Sequence, residues 1–169
     1  MNALVEAASA FGAVDGRVGG VVAVDVPADQ WVPALAAVFA AGGVYLDALA
    51  AADFEADGLQ VVAHVMADEG GDAVLVRTIV SGDDPSLASA GELWAGATWH
   101  EREITDLFGI TFTGSIDDRP LLTDRDGEPP LLKSSRLDER YESEWPGGFD
   151  PADKPGAKRR TPLGFEDAP

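Results

Sequence analysis

Two eight-residue runs, Leu59 to Met66 and Ala73 to Val80, constrain this chain more than any other feature. Both are rich in β-branched and apolar residues, and Asp68-Glu69-Gly70-Gly71-Asp72 separates them with polar and glycine residues. Such a pair reads as two strands of an antiparallel hairpin. Alternation along the first run puts Val62, His64 and Met66 on one face. Val21-Val22-Ala23-Val24-Asp25-Val26 reads as a further strand, and Val44-Tyr45-Leu46 as a short one.

Helical periodicity occupies the intervening segments. Leu4, Val5, Ala8 and Phe11 share one helical face, closed by Gly12. Pro27-Ala28-Asp29 opens a helix running to about Ala41, with Trp31, Leu35, Val38 and Phe39 on one side and Gly42-Gly43 ending it. Pro33 falls in its first turn, where a missing N–H costs little. Asp84-Pro85 reads as the start of a short helix ending near Trp94. Thr98 and Glu101 have capping-box spacing, opening a helix to Phe108 with Gly109 just past its end. The order α-β-α-β-β-β-α-α predicts an α+β fold: a mainly antiparallel sheet with helices packed on one face, followed by an irregular C-terminal tail.

Charge and composition divide the chain. Residues 1–133 hold 22 acids and 6 bases and form the expected α+β domain; 134–169 hold 8 acids, 6 bases and five of the 11 prolines. The second segment carries too little apolar material to offset its ordering entropy and reads as an extended tail, disordered alone or laid against a partner. Its Lys158-Arg159-Arg160 cluster is a candidate docking element for an acidic patch, or a solubilising scatter of charge. A net charge of −18 disfavours nucleic acid and anionic lipid as partners. With no cysteine, disulfides, cysteine-type zinc sites and ordinary iron–sulfur ligation are excluded, and two histidines offer little for a metal site. No apolar run approaches the ~20 residues of a membrane span. The first residues lack the basic stretch of a secretory signal, so the expectation is a cytosolic or cytosol-facing protein.

Chemistry is sparse. Glu101-Arg102-Glu103 with Asp106 is the densest charged group, and Arg102 and Asp106 stand at i, i+4. By itself that pattern fits a solvated helix face with local ion pairs, an interface, or an acid/base or metal site. Ile104, Leu107 and Phe108 form the core-facing stripe. His64 and His100 have no nucleophile beside them, and none of the Gly-Gly pairs matches a phosphate-binding loop. Trp94 and Trp99 flank the joint before the charged helix, as core residues or as partner-facing anchors. The residues point to a cofactor-free protein that works through contact.

The segment Trp99-His100-Glu101-Arg102-Glu103-Ile104-Thr105-Asp106-Leu107-Phe108-Gly109-Ile110-Thr111-Phe112 resembles the signature of the thirty-kilodalton subunit of respiratory complex I, the NADH–quinone oxidoreductase. Val26-Pro27-Ala28-Asp29-Gln30-Trp31, Asp84-Pro85-Ser86-Leu87 and Leu93-Trp94-Ala95-Gly96-Ala97 extend the likeness upstream, over about residues 18–114. The resemblance implies a small α+β protein of the peripheral arm, on the cytoplasmic side of the membrane, packed against the forty-nine-kilodalton subunit. It implies no redox centre here: NADH, flavin, iron–sulfur clusters and quinone would belong to partner subunits, and proton translocation to the assembly. It gives Glu101, Arg102, Glu103, Asp106, Phe108 and Gly109 fold and interface roles. Downstream the chain departs from the family. Ser115-Ile116-Asp117-Asp118-Arg119-Pro120-Leu121-Leu122 stands where a His-Pro and paired-Arg loop is usual, and Gly127-Glu128-Pro129-Pro130-Leu131-Leu132-Lys133 keeps the family's Lys but has Leu for its Arg. A divergent paralogue in a hydrogenase-like complex and a free-standing acidic binding module are the alternatives.

Overall fold

The helix α1 (Ala3–Ser9) begins where Asn2 caps it, its side-chain oxygen accepting from the Val5 N–H at 2.8 Å. The same side chain donates to the Ala73 carbonyl at 3.1 Å, tying the helix to the sheet. This computed structural model describes residues 2–68, 71–81, 84–125 and 127–135. The expected tail from residue 136 onward, with Lys158, Arg159 and Arg160, lies outside the described residues.

The main sheet contains β1 (Ala13–Val18), β2 (Val21–Asp25), β3 (Tyr45–Asp53), β4 (Leu59–Met66) and β5 (Ala73–Val80), in the order β1-β2-β5-β4-β3. β2 and β5 are parallel; the other neighbouring pairs are antiparallel. The β4–β5 hairpin pairs in full register, Leu59 opposite Val80 through Met66 opposite Ala73. Leu59, Val61, Ala63 and Val65 therefore share a buried face with Val74, Val76, Thr78 and Val80. Trp31, Ala34, Leu35 and Val38 of α2 (Trp31–Ala40) join that core, with Leu4, Val5 and Ala8 of α1 and Ile104 of α3 (Ala97–Phe108). The opposite face, with Gln60, Val62, His64 and Met66, is only partly buried. The α+β architecture with helices over one face is as the sequence predicts.

Several local expectations are corrected. Residues 85–94 form no helix: Ser86–Ala88 is β6, paired in parallel with β7 (Thr111–Thr113), which places the buried Leu87 opposite the buried Phe112. That long-range ladder wins over the local capping signal of Asp84-Pro85. The capping box is also absent. α3 starts one residue before Thr98, at the fully buried Ala97 behind Gly96, and the Thr98 hydroxyl has no partner. β3 continues through the Ala-rich stretch to Asp53, well past the short strand read at Leu46, because pairing with β4 overrides weak intrinsic preference. β1 is exposed along its whole length and carries no burial pattern, so periodicity does not reveal it. The Gly19-Gly20 pair, both at positive φ, turns it into β2 and is the available hairpin signal.

Candidate functional site

α3 presents its charged residues inward. Glu101, Arg102 and Asp106 are buried, while Glu103 is exposed and Phe108 and Gly109 are half-buried. A buried charge needs partners on every available atom, and each of the three finds them on its own chain. The Glu101 carboxylate accepts from the Ala90 N–H at 2.7 Å and the Ser89 hydroxyl at 2.8 Å, fastening α3 to the segment after β6.

Arg102 and Asp106 do not pair with each other, contrary to their i, i+4 spacing. The Arg102 guanidinium donates to the carbonyls of Arg119 at 2.8 Å and Pro120 at 3.1 Å, and to Asp117 at 3.2 Å. One Asp106 oxygen accepts the successive N–H groups of Leu121, Leu122 and Thr123, and the other accepts from Arg125. Burial pushes the Asp106 carboxyl up, but the Leu122 N–H, the Arg125 guanidinium and the N–H groups of Leu121 and Thr123 outweigh it and hold it at about 2. Asp117 is held well below the usual carboxylate range, first by the Arg119 guanidinium. The helix thus acts as a two-jawed clamp, gripping carbonyls with Arg102 and N–H groups with Asp106, on the segment 117–125.

Gly109 ends the helix at φ +75°, and a Cβ there would stand 2.9 Å from Pro129 Cγ. The Leu131 N–H reaches back to the Leu107 carbonyl at 3.0 Å, so the chain after the clamp folds over the helix end. At the sheet's margin, the Lys133 N–H donates to Asp53 at 2.7 Å, which lowers that carboxyl together with the Glu55 N–H. A cleft of about 720 Å³ lies here, lined by Asp53, Leu59, Val80, Phe108, Leu132 and Lys133.

The remaining candidates lie elsewhere. His64 contacts Asp47 at 2.8 Å on the partly buried sheet face, where Arg77 also bonds Asp25 and Asp15. These side-chain bonds hold the Arg77 guanidinium above its usual pKa. His100 is half-buried in the first turns of α3. Trp94 is buried, its indole N–H donating to the Val44 carbonyl, while Trp99 is exposed. No trio of His, Asp or Glu with metal-binding geometry occurs among the described residues, and no helix there is long and apolar enough to cross a membrane. Sequence reasoning picks out the α3 charges but misses segment 117–125 as their target, since the partners lie 15 to 19 residues away without periodicity.

Fold and site define an α+β module built around an internally bonded charged helix. The family described as respiratory-chain NADH dehydrogenase, 30 Kd subunit, matches residues 24–141, and the chain belongs to it. Among curated relatives, an NADH-quinone oxidoreductase subunit of Coxiella burnetii is 42% identical over 64 residues, 38% of this chain and 28% of that protein. "NADH-quinone oxidoreductase subunit 5" of Thermus thermophilus is 44% identical over 73 residues, 43% of this chain and 35% of that protein. The chain thus spans about a third of the length of the curated relatives it matches. Among solved structures, a trypsin-resistant fragment of Nqo5 superposes with a TM-score of 0.60 at 28% identity, over 68% of this chain and 95% of the fragment. A chain of an archaeal membrane-bound sulfane sulfur reductase complex shares the fold, with a TM-score of 0.68 at 21% identity over 79% of this chain and 84% of that one.

Proposed function

We propose that this chain is a peripheral-arm component of a complex-I-type NADH–quinone oxidoreductase. It packs against the forty-nine-kilodalton subunit that helps form the quinone site, on the cytoplasmic side of the membrane. Flavin, iron–sulfur clusters and the quinone site belong to its neighbours, and the electron transfer coupled to proton translocation that it supports is a property of the assembly. The family match across residues 24–141 carries this reading. The geometry agrees with it: the signature carboxylates Glu101 and Asp106 and the guanidinium of Arg102 are committed to the chain's own backbone, as a scaffold requires.

Purification of the tagged chain from its native host tests the proposal. Co-migration with a large membrane-associated oxidoreductase holding a forty-nine-kilodalton-type subunit is the expected result. A solitary chain in gentle detergent extracts overturns it and favours a free-standing acidic binding module. Recovery of a nickel–iron large subunit instead assigns the chain to a hydrogenase-like complex, the reading that the departures at residues 115–122 and 127–133 keep in play.

A further inference from the structure

Trp99 is 61% exposed at the start of α3, and Ile116 is 86% exposed on the segment held by the clamp. Scattered singly, such side chains need no explanation, but these two stand on elements that one buried side chain joins. The two are linked through one group. The Arg102 guanidinium lies 5.0 Å from the Trp99 ring centroid and donates to Asp117, the neighbour of Ile116. Arg102 is itself fixed by the carbonyls of Arg119 and Pro120, so the indole rests on an immobilised cation. An aromatic ring held in place before binding loses little freedom on docking, which is the property of an interface anchor.

The rim carries a charge pattern. Glu103 is exposed one helical turn beyond Trp99, and Asp118 is exposed two residues after Ile116. Neither makes an ion pair among the described residues, whereas the exposed Arg119, next to Asp118 in the chain, is already bound to Asp117. A complementary surface would be apolar at its centre and basic at its edge. The net charge of −18 argues against an anionic lipid or nucleic acid in that place.

We propose that Trp99 and Ile116 anchor this chain to its neighbour in the complex, inserting into an apolar pocket rimmed by Arg or Lys on the forty-nine-kilodalton subunit. The assignment rests on the function proposed above. Its test compares the tagged full-length chain with Trp99→Ala, Ile116→Asp and the double reversal Glu103→Lys/Asp118→Lys, each expressed in the native host. Recovery of the forty-nine-kilodalton partner is quantified by mass spectrometry, with melting temperature as a fold control. Trp99→Ala and Ile116→Asp are expected to reduce recovery about tenfold or more while melting within a few degrees of wild type. Trp99→Phe, which keeps a ring over Arg102, is expected to restore much of it. The charge reversal is expected to lower recovery most at low salt. Undiminished recovery with both single variants, where wild type brings the partner down, overturns the anchor and leaves the proposed function standing. A wild-type chain that recovers no other oxidoreductase component overturns both.

Discussion

The β4–β5 hairpin and the α3 clamp are both buried, yet they are held by opposite means. In the hairpin, Val61, Ala63, Val65, Val74 and Val76 exclude water by apolar contact, which is non-directional and tolerates small changes of volume. In the clamp, Glu101, Arg102 and Asp106 are also buried but depend on donors and acceptors placed to within tenths of an ångström. Truncating a hydrophobic residue leaves a cavity; truncating one clamp partner leaves charges and N–H groups without the partner that placed them. The two regions should therefore break differently.

The largest effect is expected at Asp106. Asp106→Ala takes the acceptor from Arg125 Nε–H and from three consecutive N–H groups at once, and should cost about 3–5 kcal/mol. Leu35→Ala, a fully buried apolar truncation, should cost about 2–5 kcal/mol. Urea denaturation gives both totals, and limited proteolysis separates them. The Asp106 variant should be cut within 115–125 under conditions that leave the β4–β5 hairpin intact, while the Leu35 variant should become susceptible throughout. Cleavage of the Asp106 variant first within β4 or β5 would show that the clamp and the sheet unfold as one.

Acid titration should sharpen the contrast. The folded-state pKa of Asp106 is about 2 against an ordinary 3.8, so the ionised carboxylate favours the folded state. That contribution, about 2 kcal/mol, is complete above about pH 5 and is lost progressively as the pH falls through the ordinary 3.8 toward 2. Asp117, held low mainly by Arg119, changes in the same direction. Asp106→Asn should flatten this limb of the stability profile measured by urea midpoints between pH 6 and pH 2. An unchanged acid limb in that variant would assign the loss to other carboxylates. Next in size is Gly109→Ala. Its positive φ alone costs about 1–2 kcal/mol, and the contact with Pro129 adds displacement of the segment over the helix end. A fall in melting temperature, with Leu131 amide exchange speeding up more than that of the hairpin, is the expected pattern.

The same contrast explains what can be read from the amino-acid order. Apolar burial leaves a periodic trace, so the β4 and β5 boundaries, the Trp31–Leu35–Val38 stripe of α2 and the α3 end at Gly109 are legible. Polar partnership leaves no such trace when the partners are remote. Arg102 and Asp106 stand at spacing suited to a surface pair, and nothing in the order of residues says that each instead grips main-chain atoms between 117 and 123. β6 escapes notice for a related reason: its partner β7 lies beyond α3, and three residues are too few to show a period. The family likeness at 99–112 locates the site without revealing what its charges hold.

The smallest effects come from two threonines, one in each region. Thr78 stands on the buried face of β5, 2% exposed, with a hydroxyl that has no partner. Thr105 in α3 places its hydroxyl within 2.9 Å of the Glu101 carbonyl and 2.8 Å of the Ile110 carbonyl, bridging the helix to the strand that follows. Replacement by Val keeps the β-branched shape in both and removes only the hydroxyl function. Thr78→Val should be neutral or stabilising by up to about 1 kcal/mol, since a buried polar atom without a partner is removed from an apolar surface that gains a methyl. Thr105→Val should lose about 0.5–1.5 kcal/mol, since one donor vanishes between two acceptors that stay in place. Opposite signs for one chemical change, read from urea midpoints, would show that the two regions follow different rules of stabilisation. Equal losses would show instead that Thr78 has a hydrogen-bond partner in solution, and that the sheet core is less purely apolar than its packing indicates.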